Sequence, residues 1–156
     1  MPLNRILRLA LYVVLLTLFV SGAVWLGIDT DDPTLPGSWR SAATVLLQVH
    51  GGAAMIFLVL LGALIPLHMQ GNWSRGRPRC SGVVLLTLNA ILIVTAYALY
   101  YASEGLRAWA GDIHIAAGFG LPAVVVFHIW HGRREVARER ALKAQAGQVE
   151  QSTPRA

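Results

Sequence analysis

Four long stretches of this 156-residue chain contain no lysine, arginine, aspartate or glutamate: 9–28, 41–74, 80–103 and 113–132. Each has at least the roughly 20 mostly apolar residues that an α-helix needs to cross the hydrocarbon layer of a bilayer. Charged residues make up 13% of the chain, against about 25% in soluble domains, which is too few to cover a water-soluble helical bundle. The sequence therefore predicts an all-α integral membrane protein and excludes a disordered chain, a disulfide scaffold and a water-soluble enzyme.

The predicted spans cover residues 6–28, 42–67, 82–102 and 112–131. Because the loops between them are short, neighbouring spans must be adjacent and antiparallel, which gives a four-helix up-down bundle. The first apolar run is longer than that of a signal peptide, so we expect it to stay as a membrane anchor. The sequence thus predicts one transmembrane domain over 1–132 and a basic cytoplasmic tail over 133–156. In that tail we expect a short interfacial helix to about residue 146 and disorder beyond it.

Positive charge is distributed unevenly across the predicted spans. Of the 13 Lys and Arg residues, 11 lie at the N-terminal end (Arg5 and Arg8), in the middle loop or after the last span, and only Arg40 and Arg107 lie on the other side. By the positive-inside rule both termini are cytoplasmic, as in a multi-pass protein of a bacterial-type inner membrane. Because the positive residues flank membrane spans, the net charge of +5 indicates topology and contact with membrane lipid, and predicts no nucleic-acid partner.

All five histidines lie on the second and fourth predicted spans: His50, His68, His114, His128 and His131. An ionisable side chain at membrane depth is costly unless it is paired, so each needs a partner. At 100° per residue, an 18-residue spacing in span two returns His68 to the face of His50, and a 14-residue spacing in span four leaves His128 about 40° from His114. For any single histidine, interhelical hydrogen bonding or an imidazole at a span end that reaches the headgroups is the better explanation; the repeated geometry of the set points beyond it.

Both histidine-bearing spans run in the same direction, so the histidines form two cross-helix pairs. His50 and His114 lie towards the outer leaflet, and His68 lies towards the inner leaflet with His128 or His131. Two imidazoles on opposite sides of a porphyrin are the ligands that a b-type haem needs. We prefer His128 to His131 for the inner pair because His131 is turned further from the face of His114. Zinc is disfavoured, since it requires three or four clustered ligands.

The segments QVHGGAAMIFLVLLGALIPLHM and GDIHIAAGFGLPAVVVFHIWHG resemble those of small membrane b-type cytochromes. That group includes cytochrome b561-like proteins and the four-helix haem subunits of respiratory dehydrogenases. The resemblance extends over about residues 5–132; the 14-residue spacing is similar to that of respiratory cytochrome b, whereas the 18-residue spacing departs from it. It implies non-covalent haem b with bis-histidine ligation, and electron transfer with quinone or a periplasmic redox protein.

Other residues extend this interpretation. Arg40 and Arg107, the two outer cations, are candidate partners for the propionates of an outer haem, although positional anchoring explains them equally well. Tyr97, Tyr100 and Tyr101 provide donors for a quinone site, but an aromatic belt explains them more simply.

We expect a di-haem b-type cytochrome that relays electrons between a periplasmic cytochrome or dehydrogenase subunit and the quinone pool. We therefore expect an electron-transfer subunit rather than a complete enzyme. A non-redox membrane anchor or assembly subunit is one alternative. A stand-alone quinol-linked oxidoreductase acting on a small diffusible oxidant is the other.

Overall fold

The computed structural model describes residues 5–65 and 80–152. Within these residues the chain forms four α-helices and no strand: α1 (Arg5–Leu26), α2 (Gly37–Leu64), α3 (Cys80–Tyr101) and α4 (Glu104–Ser152). Each is long and apolar enough to cross a membrane. The all-α fold class with four spans is confirmed, and it indicates a multi-pass membrane protein. His68 and most of the middle loop lie outside the described residues.

The chain divides into two compact units, Met1–Arg77 and Pro78–Ala156. In the first unit α1 packs against α2, and in the second α3 packs against α4. We refer to these antiparallel pairs as the first and the second hairpin. Neighbouring spans therefore pair within each hairpin as the short loops predict.

Small and hydroxyl-bearing side chains fill most of the buried positions of both hairpins. The described residues with buried side chains are Val14, Ser21, Ala43, Ala53, Asn89, Thr95, Ala110 and Ala117. Small side chains let helix backbones approach closely, which is how membrane helices associate in the absence of a hydrophobic driving force between them. Large apolar side chains such as Ile6 and Val59 are instead about three-quarters exposed, as expected for surfaces that face lipid.

The two hairpins are closed by connectors of very different length. In the second, only residues 102 and 103 separate α3 from α4. In the first, residues 27–36 form successive turns, within which the carboxylates of Asp29 and Asp32 accept backbone N–H bonds two residues on. The guanidinium of Arg40 donates to the carbonyl oxygens of Thr30, Asp32 and Leu35, so this arginine fastens the longer connector.

The fourth helix is much longer than its predicted span. It has 49 residues, or roughly 70 Å at 1.5 Å per residue, against about 30 Å for the hydrocarbon layer. The predicted interfacial helix is instead a continuation of α4, which runs through Ser152. The reason is composition, because the tail is rich in alanine, arginine, glutamate and glutamine, which favour helix. The start of α2 also differs from the prediction. This helix begins at Gly37, directly after Pro36, five residues before the predicted start.

Candidate functional site

The imidazole of His50 is held against α1 by two hydrogen-bonding groups. Its Nδ1 lies 3.1 Å from Ser21 Oγ and 3.0 Å from the carbonyl oxygen of Leu18. Gly22 makes this approach possible, because a β-carbon there would lie 3.2 Å from His50 Cε1. The half-buried ring is therefore fixed by the backbone of the neighbouring helix as well as by a side chain.

These contacts determine which ring nitrogen of His50 carries the proton. A carbonyl oxygen only accepts, so the bond to Leu18 requires a proton on Nδ1. The hydroxyl of Ser21 donates to the carbonyl of Thr17 at 2.6 Å, and its oxygen therefore accepts from the same Nδ1–H. In the neutral imidazole the lone pair is then on Nε2, the nitrogen that is left to act as an acceptor or a metal ligand.

The imidazole of His114 shows the same arrangement in the second hairpin. Its Nδ1 lies 2.9 Å from Thr95 Oγ1. The Thr95 hydroxyl also lies 2.7 Å from the carbonyl oxygen of Ile91. If its proton is donated to that carbonyl, its oxygen accepts from His114 Nδ1–H, and the lone pair of a neutral His114 is then on Nε2, as in His50.

His128 makes the same kind of imidazole–hydroxyl contact with α3, further along the second hairpin. Its Nδ1 lies 3.0 Å from Ser81 Oγ. Ser81 precedes Thr95 by 14 residues, as His114 precedes His128 by 14, which is the relation expected for antiparallel neighbours. His114 and His128 therefore both contact α3 from one side of α4.

His131 lies in a different environment. Its ring stacks on Phe127 of the same helix, with ring centroids 5.9 Å apart and planes inclined by 14°. Nearby, the guanidinium of Arg134 lies 3.8 Å from the centroid of the Trp130 ring. This aromatic and cationic cluster is typical of a membrane–water boundary, where amphipathic side chains collect.

The glycines beside His50 and His114 leave open space along both helices. A β-carbon added at Gly51, Gly52, Gly118 or Gly120 would meet no heavy atom within 4 Å in the described part of the chain. The same holds for Gly62, which lies between the two histidines of span two. These helix surfaces are therefore accessible to a large planar group.

Arg40 and Arg107 both bind backbone carbonyls near the ends of their helices. Arg40 makes the three bonds to the first connector described above, whereas Arg107 donates one bond of 3.3 Å to the carbonyl of Ala102. Both arginines are exposed. Each arginine therefore stabilises the backbone near the end of its own helix. The predicted contact with haem propionates would be a second role for the same side chains.

The tyrosines at the end of α3 form an exposed aromatic cluster. The ring centroids of Tyr97 and Tyr101 are 4.6 Å apart, and those of Tyr100 and Tyr101 are 6.4 Å apart. All three side chains are at least 66% exposed, which agrees with an aromatic belt. At the opposite end of the second hairpin, an apolar groove of about 340 Å³ adjoins the Ser81–His128 pair and is lined by Cys80, Ser81, Val84, Ala123, Val124 and Phe127.

Sequence reasoning identified the histidines but not the hydroxyl groups that position them. Ser21, Thr95 and Ser81 each lie on the helix preceding their histidine. Antiparallel pairing of adjacent spans, together with the 14-residue spacing of Ser81 and Thr95 and of His114 and His128, is the sequence signal that could have found two of them. Within the described residues no group of three or more His, Cys, Asp or Glu side chains is close enough to hold a metal ion.

Comparisons of this chain with protein-family models, with curated proteins and with solved structures returned no match.

Proposed function

We propose that the chain is a membrane b-type cytochrome that relays electrons between a periplasmic cytochrome or dehydrogenase subunit and the quinone pool. His50 and His114 would hold an outer haem b. His68 and His128 would hold an inner one, and His68 lies outside the described residues. The inner membrane of a bacterial-type cell, with both termini cytoplasmic, follows from the distribution of lysine and arginine.

The observation that carries the proposal is that His50 and His114 each place Nδ1 within 3.1 Å of an oxygen on the neighbouring helix. Histidines that bind metals almost always donate their other ring N–H to an oxygen acceptor, which fixes the ring and raises the basicity of the ligating nitrogen. The acceptors are Leu18 and Ser21 for one ring and Thr95 for the other. Both imidazoles are thus prepared to ligate through Nε2.

The glycine positions fit the same cofactor. A porphyrin requires a flat, apolar surface on either side, and backbone without a side chain allows close approach. Gly51 and Gly52 follow His50, and Gly118 lies one turn after His114, each with open space at its β-carbon position. Haem b supplies the one-electron chemistry, while the residues of this chain orient the ligands and exclude water.

Two further features support the proposed quinone partner and the proposed cytoplasmic position of the tail. The groove beside Ser81 and His128 is almost entirely apolar, as a membrane-dissolved ring with few polar atoms requires. The extension of α4 carries Arg133, Arg134, Arg138, Arg140 and Lys143, and its basic character fits the anionic cytoplasmic leaflet.

Haem content and ligand substitution test the proposal. We expect the purified chain to show the Soret and split α/β bands of low-spin haem b on reduction, with about two haems per chain. His50→Ala and His114→Ala should each remove one haem, whereas His131→Ala should remove none. A colourless protein, or the same haem content in all three variants, would contradict it.

The second candidate is a non-redox membrane anchor or assembly subunit. It is favoured by the same three imidazole–hydroxyl bonds, since polar side chains of this kind also hold membrane helices together. The two candidates differ in colour after detergent extraction. They also differ in the response to His114→Ala, which in an anchor would weaken helix packing without any spectral change.

A further inference from the structure

The apolar groove of the second hairpin has walls that distinguish between classes of quinone. It lies between the first turns of α3 and the middle of α4, with a volume of about 340 Å³. Pockets that hold small molecules span about 300–1,000 Å³, so the groove can accommodate a quinone ring while the isoprenoid tail stays in lipid. Four of its six lining residues have hydrocarbon side chains: Val84, Ala123, Val124 and Phe127.

The two remaining lining residues, Cys80 and Ser81, offer few polar contacts to a ligand. The Ser81 hydroxyl already lies 3.0 Å from His128 Nδ1, and a thiol is only a weak donor. None of the six described lining residues is charged, which matches a neutral ring and disfavours a phospholipid headgroup. A ligand oxygen that enters such a groove loses hydrogen bonds without replacing them. The part of a ring that enters it should therefore consist of hydrocarbon.

One wall of the groove is an aromatic ring that neighbouring rings hold in place. The Phe127 ring stacks on His131 with centroids 5.9 Å apart, and its centroid lies 6.1 Å from that of Trp130. Aromatic rings prefer offset-stacked or edge-to-face contacts with one another. A fused benzene ring can make such a contact with Phe127, whereas methoxy substituents cannot.

The two common kinds of membrane quinone differ at the ring edge opposite the isoprenoid tail. A naphthoquinone such as menaquinone has a fused benzene ring there, and a benzoquinone such as ubiquinone has two methoxy groups. We infer that the groove binds the fused ring of a naphthoquinone, with the carbonyl oxygens and the tail outside it. This inference rests on the proposed function, which supplies quinone as a partner.

Alkylation of Cys80 measures occupancy of the groove without requiring haem. Cys80 is the only cysteine of the chain, is exposed and lines the groove, so a bound ring should slow its reaction with N-ethylmaleimide. The full-length protein in detergent is incubated with menaquinone or ubiquinone carrying short isoprenoid tails of equal length, and labelling is followed by mass spectrometry. Both quinone rings are fully substituted, so neither quinone adds directly to the thiol.

We expect menaquinone to give half-maximal protection of Cys80 at a concentration at least fivefold lower than ubiquinone does. Equal protection by the two quinones, stronger protection by ubiquinone, or protection by neither would overturn the inference. Haem content of the same sample tests the proposed function separately. A haem-containing protein without protection refutes the groove assignment alone, whereas a colourless protein in which menaquinone still protects Cys80 refutes the proposed cytochrome alone.

A filling substitution with a matched control locates the binding in the groove. Val84→Trp fills the groove from α3, so menaquinone should no longer change the labelling rate of Cys80 in this variant. Val83→Trp is the control, because Val83 is a neighbouring and similarly exposed valine that does not line the groove, and protection there should equal that of the wild type. Protection that persists in Val84→Trp would overturn the inference.

A second substitution tests the choice between the quinones. Phe127→Leu keeps an apolar wall but removes the aromatic ring, so the preference for menaquinone over ubiquinone should fall below twofold. Phe119→Leu, the same change at a similarly exposed position of α4 outside the groove, should keep the full preference. A fivefold preference retained in Phe127→Leu would overturn the inference.

Discussion

The two hairpins position their histidines with different kinds of acceptor. In the first, His50 Nδ1 contacts the backbone carbonyl of Leu18 as well as the Ser21 hydroxyl. In the second, the hydroxyls of Thr95 and Ser81 contact the Nδ1 atoms of His114 and His128. A side-chain substitution removes a hydroxyl but leaves a backbone carbonyl in place, so loss of the Ser21 hydroxyl should disturb His50 less than loss of the Thr95 hydroxyl disturbs His114.

The connectors of the two hairpins differ in length and in how they are held. The second hairpin turns through two residues, whereas the first needs ten, fastened by Arg40. The hairpin whose histidine contacts a backbone carbonyl thus has the longer turn. Because the two features are far apart along the helices, substitutions at each should act independently.

The largest expected effect follows from filling the space that His50 occupies. Gly22→Leu places side-chain atoms where the β-carbon alone already approaches His50 Cε1 to 3.2 Å. The ring must move away from α1, so we expect the loss of about one haem per chain by haem quantification. Gly37→Leu is the control, since a β-carbon there has no described neighbour within 4 Å. Full haem retention in Gly22→Leu would show that this contact does not position a ligand.

The second-largest expected effect is a shift in the midpoint potential of the outer haem, which compares the two hairpins directly. Thr95→Val removes the described acceptor of His114 Nδ1–H, while Ser21→Ala leaves the Leu18 carbonyl for His50. A lost hydrogen bond worth about 1 kcal/mol changes a one-electron potential by roughly 40 mV. Since that bond makes the imidazole more basic and stabilises oxidised iron, we expect Thr95→Val to raise the midpoint potential of the outer haem by this amount, and Ser21→Ala to raise it less.

Redox titration with optical detection measures both shifts. Thr44→Val is the matched control, because the Thr44 hydroxyl bonds to the Arg40 carbonyl of its own helix. Equal shifts for Thr95→Val and Ser21→Ala would show that the Leu18 carbonyl does not compensate for the lost Ser21 hydroxyl.

A smaller effect distinguishes the two turns. Arg40→Ala removes three bonds to the first connector, and Arg107→Ala removes one long bond of 3.3 Å. Because these bonds are exposed, we expect a loss of about 1 kcal/mol for Arg40→Ala and less for Arg107→Ala. Thermal unfolding in detergent measures the stability, and limited proteolysis within residues 27–36 should accelerate only in Arg40→Ala. The reverse order would mean that Arg40 does not fasten the turn.

The smallest effect is a dependence on pH in the first connector. The Thr34 hydroxyl and then the Thr34 N–H lower the pKa of Asp32 from 3.8. A carboxyl with a depressed folded-state pKa stabilises the protein above its unfolded pKa and loses that contribution as the pH falls through the folded value. Thermal stability should therefore decline below about pH 4, and Thr34→Val should reduce that decline. An identical acid dependence in both proteins would contradict this role.

Much of the fold followed from the distribution of charge. Stretches without charged residues located all four helices because an unpaired charge in hydrocarbon is costly. The ends were less accurate, since a bilayer limits where a span lies and not where its helix stops. The continuation of α4 to Ser152 depends on helix-favouring residues that the membrane criterion ignores.

The sequence alone determined which residues are candidates for chemistry: histidines confined to two spans, at spacings that return them to one face of a helix. That much follows from helical periodicity, which is a property of a single chain segment. Only tertiary structure decided which oxygen atoms the Nδ1 atoms of His50 and His114 contact, because Leu18, Ser21 and Thr95 lie on neighbouring helices. Hydrogen bonding between helices depends on their register and separation, and those are set by packing rather than by the pattern of any one span.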